Sequence, residues 1–412
     1  MKTERLITIQ TNEQIKLPVV YYCFRDFRIH ENWNIIMGME KAKEMKTSFR
    51  IVYIIPQRLT RRKHNFIMNA IEECVEKASD LNIVTELVSE NNFMRIKHSL
   101  SHHFFDFHPT LSKKYIFENK INTITTYCTK YPGHVYCIDT HNIVPCWYVS
   151  NKAEYSARFF RQKVEKYWTE FLEEFPPLTP LPNKRCTKLT YNTDGIIVLE
   201  DSKALNIIGT YEKAKERLEY MLSNIDAYPE VRSHLSPYIN YGIISTQEII
   251  RQLPYMSLFG SFLDQVFIRR ELSDNFCYYK DPNDLNSLSN WIVSNIEKHR
   301  MDIREHILTL EDLEMGRSPD DTWNSIQHEL VTTGRLVGDK RMYWAKMFAY
   351  WTSNIEEAIS FCLYLNDKYQ LDGDVPAGIV NILWSLVGLH DRTFKETPIL
   401  GRVRKIKKKP KV

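Results

Sequence analysis

No two of the eight cysteines, at positions 23, 74, 128, 137, 146, 186, 277 and 362, stand in a CxxC pair. Zinc sites and thioredoxin-like redox motifs depend on such pairs, so nothing here indicates a metal centre or a dithiol couple. Scattered thiols at this density fit a reducing compartment. No stretch of about 18 apolar residues is present, as a membrane-spanning helix would need. The opening MKTERLITIQTNEQIKLP also lacks the apolar core of a signal peptide. The expectation is a soluble intracellular protein, cytoplasmic or nuclear, with no membrane partner. A net charge of +4 is too small to announce a nucleic-acid binder by itself. Internal repeats are missing, and the one low-complexity stretch is the basic run Arg402–Lys411.

What is present is a chain of 412 residues, 43% of them apolar, enough for two cores and hence for two domains of about 150–200 residues. Pro18–Phe24 (PVVYYCF) is a short run of β-branched and aromatic residues that reads as a strand. A helical pattern follows over Trp33–Lys46, then a second strand-like run, Phe49–Ile55, and a second helix, Lys63–Leu81. Asn82–Leu87 and His134–Asp139 read as further strands. Strands alternating with helices predict a mostly parallel, Rossmann-like sheet covered on both faces, here an α/β domain over residues 15–175. The pattern predicts one long amphipathic helix over Glu154–Phe175, ended by the prolines of Pro176–Pro182. Residues 176–203 form the candidate inter-domain linker. From 204 to 404 helical periodicity dominates and predicts an all-α domain. A basic tail, 405–412, follows.

Several segments of the second half share a pattern. Ser261–Phe276, SFLDQVFIRRELSDNF, resembles the FxEE–RREL–NF signature of class II cyclobutane pyrimidine dimer photolyases. Asp321–Trp351 holds TWNSIQHEL, RMYWAK and YW at that family's spacing, and Leu365–Gly373 (LNDKYQLDG) and Gly388–Arg392 (GLHDR) continue it. In the first half Arg25, Asp26, Asn32 and Trp33 resemble the family's RDxRxxxNW, and Asp139–Arg161 its DAHNIVPVW block. Ser233–Gly242, SHLSPYINYG, resembles the flavin-phosphate motif shared by photolyases and cryptochromes. The segments stand in the family's order.

The resemblance implies the photolyase/cryptochrome fold, an α/β N-terminal domain followed by an all-α FAD-binding domain. It also implies a photolyase activity, a carbon–carbon lyase reaction. A monomer would repair pyrimidine dimers in double-stranded DNA by light-driven electron transfer from reduced FAD to the flipped-out dimer.

Trp344 and Trp351 are seven apart, on one face of a predicted helix with a rise of roughly 10 Å between them. The resemblance makes them, with Trp323, an electron path to the flavin, with Trp323 completing the chain; the plain alternative is core packing. It places Asn366 opposite flavin N5, where an amide can offer a donor or an acceptor, and Arg341 and Asp372 as an ion pair flanking the ring. For these the alternatives are a helix C-cap and an ordinary structural salt bridge.

Ser233, His234, Leu235 and Ser236 precede Pro237 at a predicted helix start, which suits a pyrophosphate, although capping serines are common. Tyr220 matches a flavin-contacting tyrosine. Met342 and Trp384 match dimer-contacting residues, and Gln265 stands where the family's dimer-bonding carboxylate belongs. Arg269, Arg270, Arg402, Arg404 and the Lys405–Lys411 cluster are candidates for DNA phosphates, with a nuclear-localisation signal as the other reading of the tail.

The departures cluster. The FxEE glutamates are Asp264 and Gln265; glutamine keeps the length and can donate a hydrogen bond but holds no proton. The family's LDGRDPNG reads LDGDVPAG over Leu371–Gly378, its closing segment is rewritten across 394–408, and an arginine of its RNDP element is Asn224. Asp106–Leu111 resembles the DFSPLR block without its arginine, so the antenna chromophore is left open. Such changes also suit a second reading, a catalytically inactive photolyase-fold protein retained for DNA binding or structural interaction.

Overall fold

The computed structural model describes residues 1–11, 16–93, 101–109, 133–182, 189–192, 194–201, 206–253, 261–406 and 408–411. Residue 15 of the α/β domain, 110 and 111 of the antenna block, 183–188, 193, 202 and 203 of the linker, and 407 and 412 of the tail lie outside these. The chain divides into two compact units. The first comprises Met1–Asn151, Arg161–Glu200 and Ile207–Glu271; the second comprises Lys152–Phe160, Asp201–Asn206 and Leu272–Val412.

Among the described residues, the first unit is built on a seven-stranded sheet and a two-stranded one. The strands are β1 (Leu6–Gln10), β2 (Val19–Cys23), β3 (Phe49–Ile55), β4 (Arg58–Thr60), β5 (Val84–Ser89), β6 (His102–Asp106), β7 (His134–Ile138), β8 (Thr190–Asn192) and β9 (Ile197–Leu199). In the large sheet the order is β1-β7-β6-β2-β3-β5-β8, while β4 pairs with β9. Among the described residues, all pairs run parallel except β1 with β7. Every residue of β2 is buried, as expected of a parallel strand covered on both faces. β1 lies at the end of the described order and carries the polar Thr8 and Gln10 among its five residues, so it forms no continuous apolar run.

The RDxR segment leaves β2 into a buried polar cluster. Asp106 accepts the backbone N–H groups of Phe24, Arg25 and Asp26 and the hydroxyl of Tyr21. Asp26 takes Arg28 at 2.5 Å and His141 at 2.9 Å. Burial opposes its ionisation, yet Arg28 and His141 hold its carboxyl well below the usual range.

The expected boundary and the observed division differ. Ile207–Glu271 groups with the α/β unit and not with the helices that follow. The cause is a set of specific bonds. Phe27 N–H donates to Tyr241 O at 3.0 Å, Arg28 to Gly242 O at 2.9 Å and Tyr211 N–H to Glu73 Oε2 at 2.7 Å. Gly242 has a φ of +56°, and a Cβ there would stand 2.4 Å from Asp26 Oδ1, so only glycine fits.

The single helix expected over Glu154–Phe175 is instead two short ones, Ala157–Val164 and Trp168–Phe171. Lys166 and Tyr167 tighten the turn between them with bonds to residues three back. The buried Arg5 guanidinium then takes the Phe171 carbonyl at 2.7 Å and Glu173 at 2.8 Å, holding the second helix short.

The second unit is helical. Its elements include Asn290–His299, Asp321–Thr333, Gly338–Trp351, Ile355–Tyr369 and Pro376–Val387, around a core that contains Trp323, Leu330, Trp344, Phe348, Cys362, Leu365 and Leu383. Asp320 caps the Asp321–Thr333 helix by accepting Trp323 N–H at 3.0 Å, and Gly334, at a φ of +69°, ends it. Pro376 opens the last helix, where its missing N–H costs nothing. Among the described residues, no helix is long and apolar enough to cross a membrane.

Candidate functional site

The helix Ile355–Tyr369 brings Asn366 near its end and continues into the loop that carries Gln370 and Asp372. Asn366 is fully buried and does not cap the helix; Gln370 occupies that position. Arg341, on the Gly338–Trp351 helix, donates to Asp372 Oδ1 at 2.8 Å and to Gln370 Oε1, so the expected ion pair is formed.

Three polar atoms of this cluster are shielded from solvent without a hydrogen-bond partner: Asn366 Oδ1, Gln370 Nε2 and Arg341 Nε. An unmade bond costs a buried polar group about 1–3 kcal/mol; such atoms occur elsewhere among the described residues too, and what marks this cluster is that three of them stand together beside one ion pair. One acceptor and two donors, next to an ion pair, match the alternating carbonyl and N–H groups of an isoalloxazine ring. The residues fit that group. Gln370 and its bond to Arg341 were not singled out from sequence, although its position four residues after Asn366 places it on the same helix face.

The tryptophans come together. Trp323 stands between the other two: its ring lies 6.5 Å from that of Trp344, parallel to within 1°, and 5.2 Å from that of Trp351, at 86°. Phe348 fills the angle at 4.8 Å from Trp344 and 5.6 Å from Trp323. Trp323 Nε1 donates to Trp344 O at 2.9 Å, and Trp344 Nε1 to Gln327 Oε1 at 2.8 Å. Trp344 lies one turn from Arg341 on a shared helix. The three rings belong to the core and touch in series, with Trp323 the middle member, an order the sequence left open.

At Asp320 burial opposes ionisation, but Lys409, the Tyr343 hydroxyl and Trp323 N–H hold the carboxyl below its usual range. Lys409 of the tail reaches it at 2.7 Å. On the Gly338–Trp351 helix, Lys346 is buried and donates to Ser385 O at 2.6 Å. Desolvation pushes its ammonium down to about 8, with Asp391 opposing and Arg404 adding to the shift.

Among the DNA candidates, Met342 and Trp384 are half-buried, and Arg402 is exposed. Arg404 is already engaged. It pairs with Asp391 through two bonds of 3.0 and 3.3 Å and stacks at 5.8 Å over Trp384 and 4.9 Å over Phe394. The rewritten closing segment is held in place: Asn295 takes Arg402 N–H at 2.8 Å and donates to Leu400 O at 3.1 Å.

The remaining candidates belong to the first unit. Gln265 is exposed on a π-helical turn, Asp264–Arg269, of the kind often found at functional sites. Its neighbour Asp264 binds Arg161 at 2.5 Å and Arg269 at 3.1 Å. Arg270 is buried and structural, bonded to Val266 O, Asn142 and Glu271. Ser233 accepts Leu235 N–H at 3.3 Å, His234 has a φ of +53°, and Leu235 is buried. Ser236 opens a helix of only five residues, Ser236–Asn240. Tyr220 is 55% exposed.

No family model matches the chain. Proteins named deoxyribodipyrimidine photo-lyase are similar over nearly its whole length. One from Arabidopsis thaliana is 32% identical over 96% of this chain and 86% of its own. One from Oryza sativa subsp. japonica is 33% identical over 94% and 83%. One from Potorous tridactylus is 31% identical over 93% and 77%. Among solved structures, a cryptochrome of Synechocystis sp. PCC6803 matches with a TM-score of 0.64 over 90% of this chain and 82% of that one, at 12% identity, which is a likeness of fold. The α/β sheet, the helical second unit and these relatives agree: the chain belongs to the photolyase/cryptochrome family.

Proposed function

We propose that this protein repairs cyclobutane pyrimidine dimers in DNA by light-driven electron transfer from bound FAD. The observation that carries the reading is the set of partnerless polar atoms on Asn366, Gln370 and Arg341 beside the Arg341–Asp372 pair. When bound, reduced FAD supplies the electron that splits the dimer and receives it back.

The chain's own residues do the rest. Asn366 and Gln370 present an acceptor and a donor to the ring, and Arg341 offsets negative charge on it in a low-dielectric setting. By family resemblance, Ser233, His234, Leu235 and Ser236 are candidates for a flavin pyrophosphate and Tyr220 for a flavin contact. Trp351, Trp323 and Trp344, in ring contact, form a path for electrons towards the cofactor. Met342 and Trp384 offer apolar and stacking surface to extruded bases. Arg269, Arg402, Arg404 and the tail lysines are the candidates for phosphates, an attraction that weakens with salt; Arg269, Arg404 and Lys409 would exchange Asp264, Asp391 and Asp320 for them. Gln265 donates a hydrogen bond to the dimer but cannot give it a proton.

The absorbance spectrum of the purified protein, native and after incubation with FAD, is the first test, followed by repair of dimer-containing DNA in light and in darkness. Flavin absorbance near one per chain with repair in light alone is expected. Colourless protein that takes up no FAD overturns the reading. Gln265, in place of a carboxylate, favours a second reading in which the protein binds DNA without repairing it; flavin-loaded protein inactive in light, with DNA binding intact, selects that one.

A further inference from the structure

The amide of Asn366 is held in one orientation. Its Nδ2 donates to Asp367 Oδ1 at 2.8 Å, an oxygen that also takes a backbone N–H and so acts only as an acceptor. Whichever end of the amide faces Asp367 must therefore be the nitrogen, and the oxygen is left on the other side. That oxygen is the partnerless acceptor. Reversing the amide sets two oxygens against each other and forfeits a charge-assisted bond. The carboxylate is itself anchored, because the same Oδ1 accepts the backbone N–H of Asp374 at 3.0 Å, where the loop turns with a φ of +59°. Gly378 closes the nitrogen side: a methyl group there would stand 3.2 Å from Asn366 Nδ2.

We infer that Asp367 is a positioning residue that turns the oxygen of Asn366 towards the flavin and so biases the site for a ring carrying a proton on N5. The inference rests on the flavin reading above. N5 of an oxidised isoalloxazine is a bare acceptor, whereas N5 of the reduced ring carries a hydrogen. A fixed oxygen bonds the second and repels the first. A freely turning amide serves both, so the lock, and not the asparagine alone, sets the preference. Asp367 thereby raises the reduction potential of the bound ring without touching it.

The test measures the midpoint potential of FAD bound to the full chain, in darkness, against a reference dye. In Asp367→Asn the neighbouring group can donate as well as accept, and the lock is lost. The reduced-to-oxidised ratio at fixed poise should fall about tenfold, roughly 30 mV for this two-electron couple. Asp367→Glu keeps an acceptor-only group and should restore most of the potential. The deciding comparison is made in an Asn366→Ala background, where Asp367→Asn should change nothing, since Asp367 acts through that amide.

An equal shift in both backgrounds overturns the positioning role, as does an unchanged potential in Asp367→Asn. If Asp367→Asn binds no FAD, Asp367→Glu carries the test, and a potential as low as that of Asn366→Ala overturns it. Wild-type protein that binds no FAD removes the flavin reading first and this inference with it.

Discussion

Trp323 and Trp344 lie parallel to within 1°, their ring centroids 6.5 Å apart, and Trp323 also touches Trp351. A series of contacts has a member whose loss breaks both steps. Trp323→Phe should slow photoreduction of bound FAD by about an order of magnitude, and Trp351→Phe should slow it less. Repair by protein reduced beforehand should stay nearly intact in both. Flash-induced absorbance of the flavin checks this, and equal rates for Trp323→Phe and wild type remove that ring from the path.

Arg5 is fully buried and spends its guanidinium on the carbonyls of Asp139, Asn142, Ile143 and Phe171 and on Glu173. A lysine has fewer donors and no planar fork. Arg5→Lys should destabilise the protein by on the order of 3 kcal/mol, read as a lower urea midpoint at an unchanged slope. A midpoint equal to wild type refutes it.

Burial lowers the Lys346 ammonium from an ordinary 10.5 to about 8. The unfolded chain therefore binds more protons than the folded one between these values, and stability rises with pH across that window. The contribution is complete above the unfolded value and is lost as pH falls through about 8. Lys346→Met, which has no proton to lose, should flatten the rise between pH values of about 8 and 10 in thermal unfolding. The same slope in variant and wild type would count against the burial of a charge there.

Gln265 is exposed, while Asp264 beside it is bound by Arg161 and Arg269. Asp264 is therefore not placed to substitute for the missing carboxylate. Gln265→Glu should raise repair per absorbed photon severalfold if that carboxyl group limits turnover, since a positioned acid–base group contributes about 10²-fold or more. No gain would place the limitation elsewhere.

Arg404 spreads over Trp384 and Phe394 with Asp391 holding its other edge. Arg404→Ala should weaken DNA binding and reduce the slope of log affinity against log salt by about one. An unaltered slope would show that its charge never meets a phosphate.

Much of the molecule was legible in the residues. Runs such as Phe49–Ile55, buried on both faces, can only be inner strands, and the indoles at 344 and 351 must share a helix face because of the helical repeat. The edge strand β1 was not legible, since its half-polar pattern acquires meaning only beside β7. Nor was the end of the short helix Trp168–Phe171, where Arg5, more than 160 positions earlier, claims the Phe171 carbonyl.

The sequence by itself determined which side chains exist and which of them share a helix face or a strand, because those follow from local backbone geometry. The tertiary structure decided that Trp323 is the middle ring, that Ile207–Glu271 joins the α/β unit, and that Asn366 turns its oxygen away from Asp367. Ring order and unit membership depend on packing between elements distant in the chain. The amide's direction depends on which neighbour can only accept, a matter of a few ångströms that no spacing in the chain encodes.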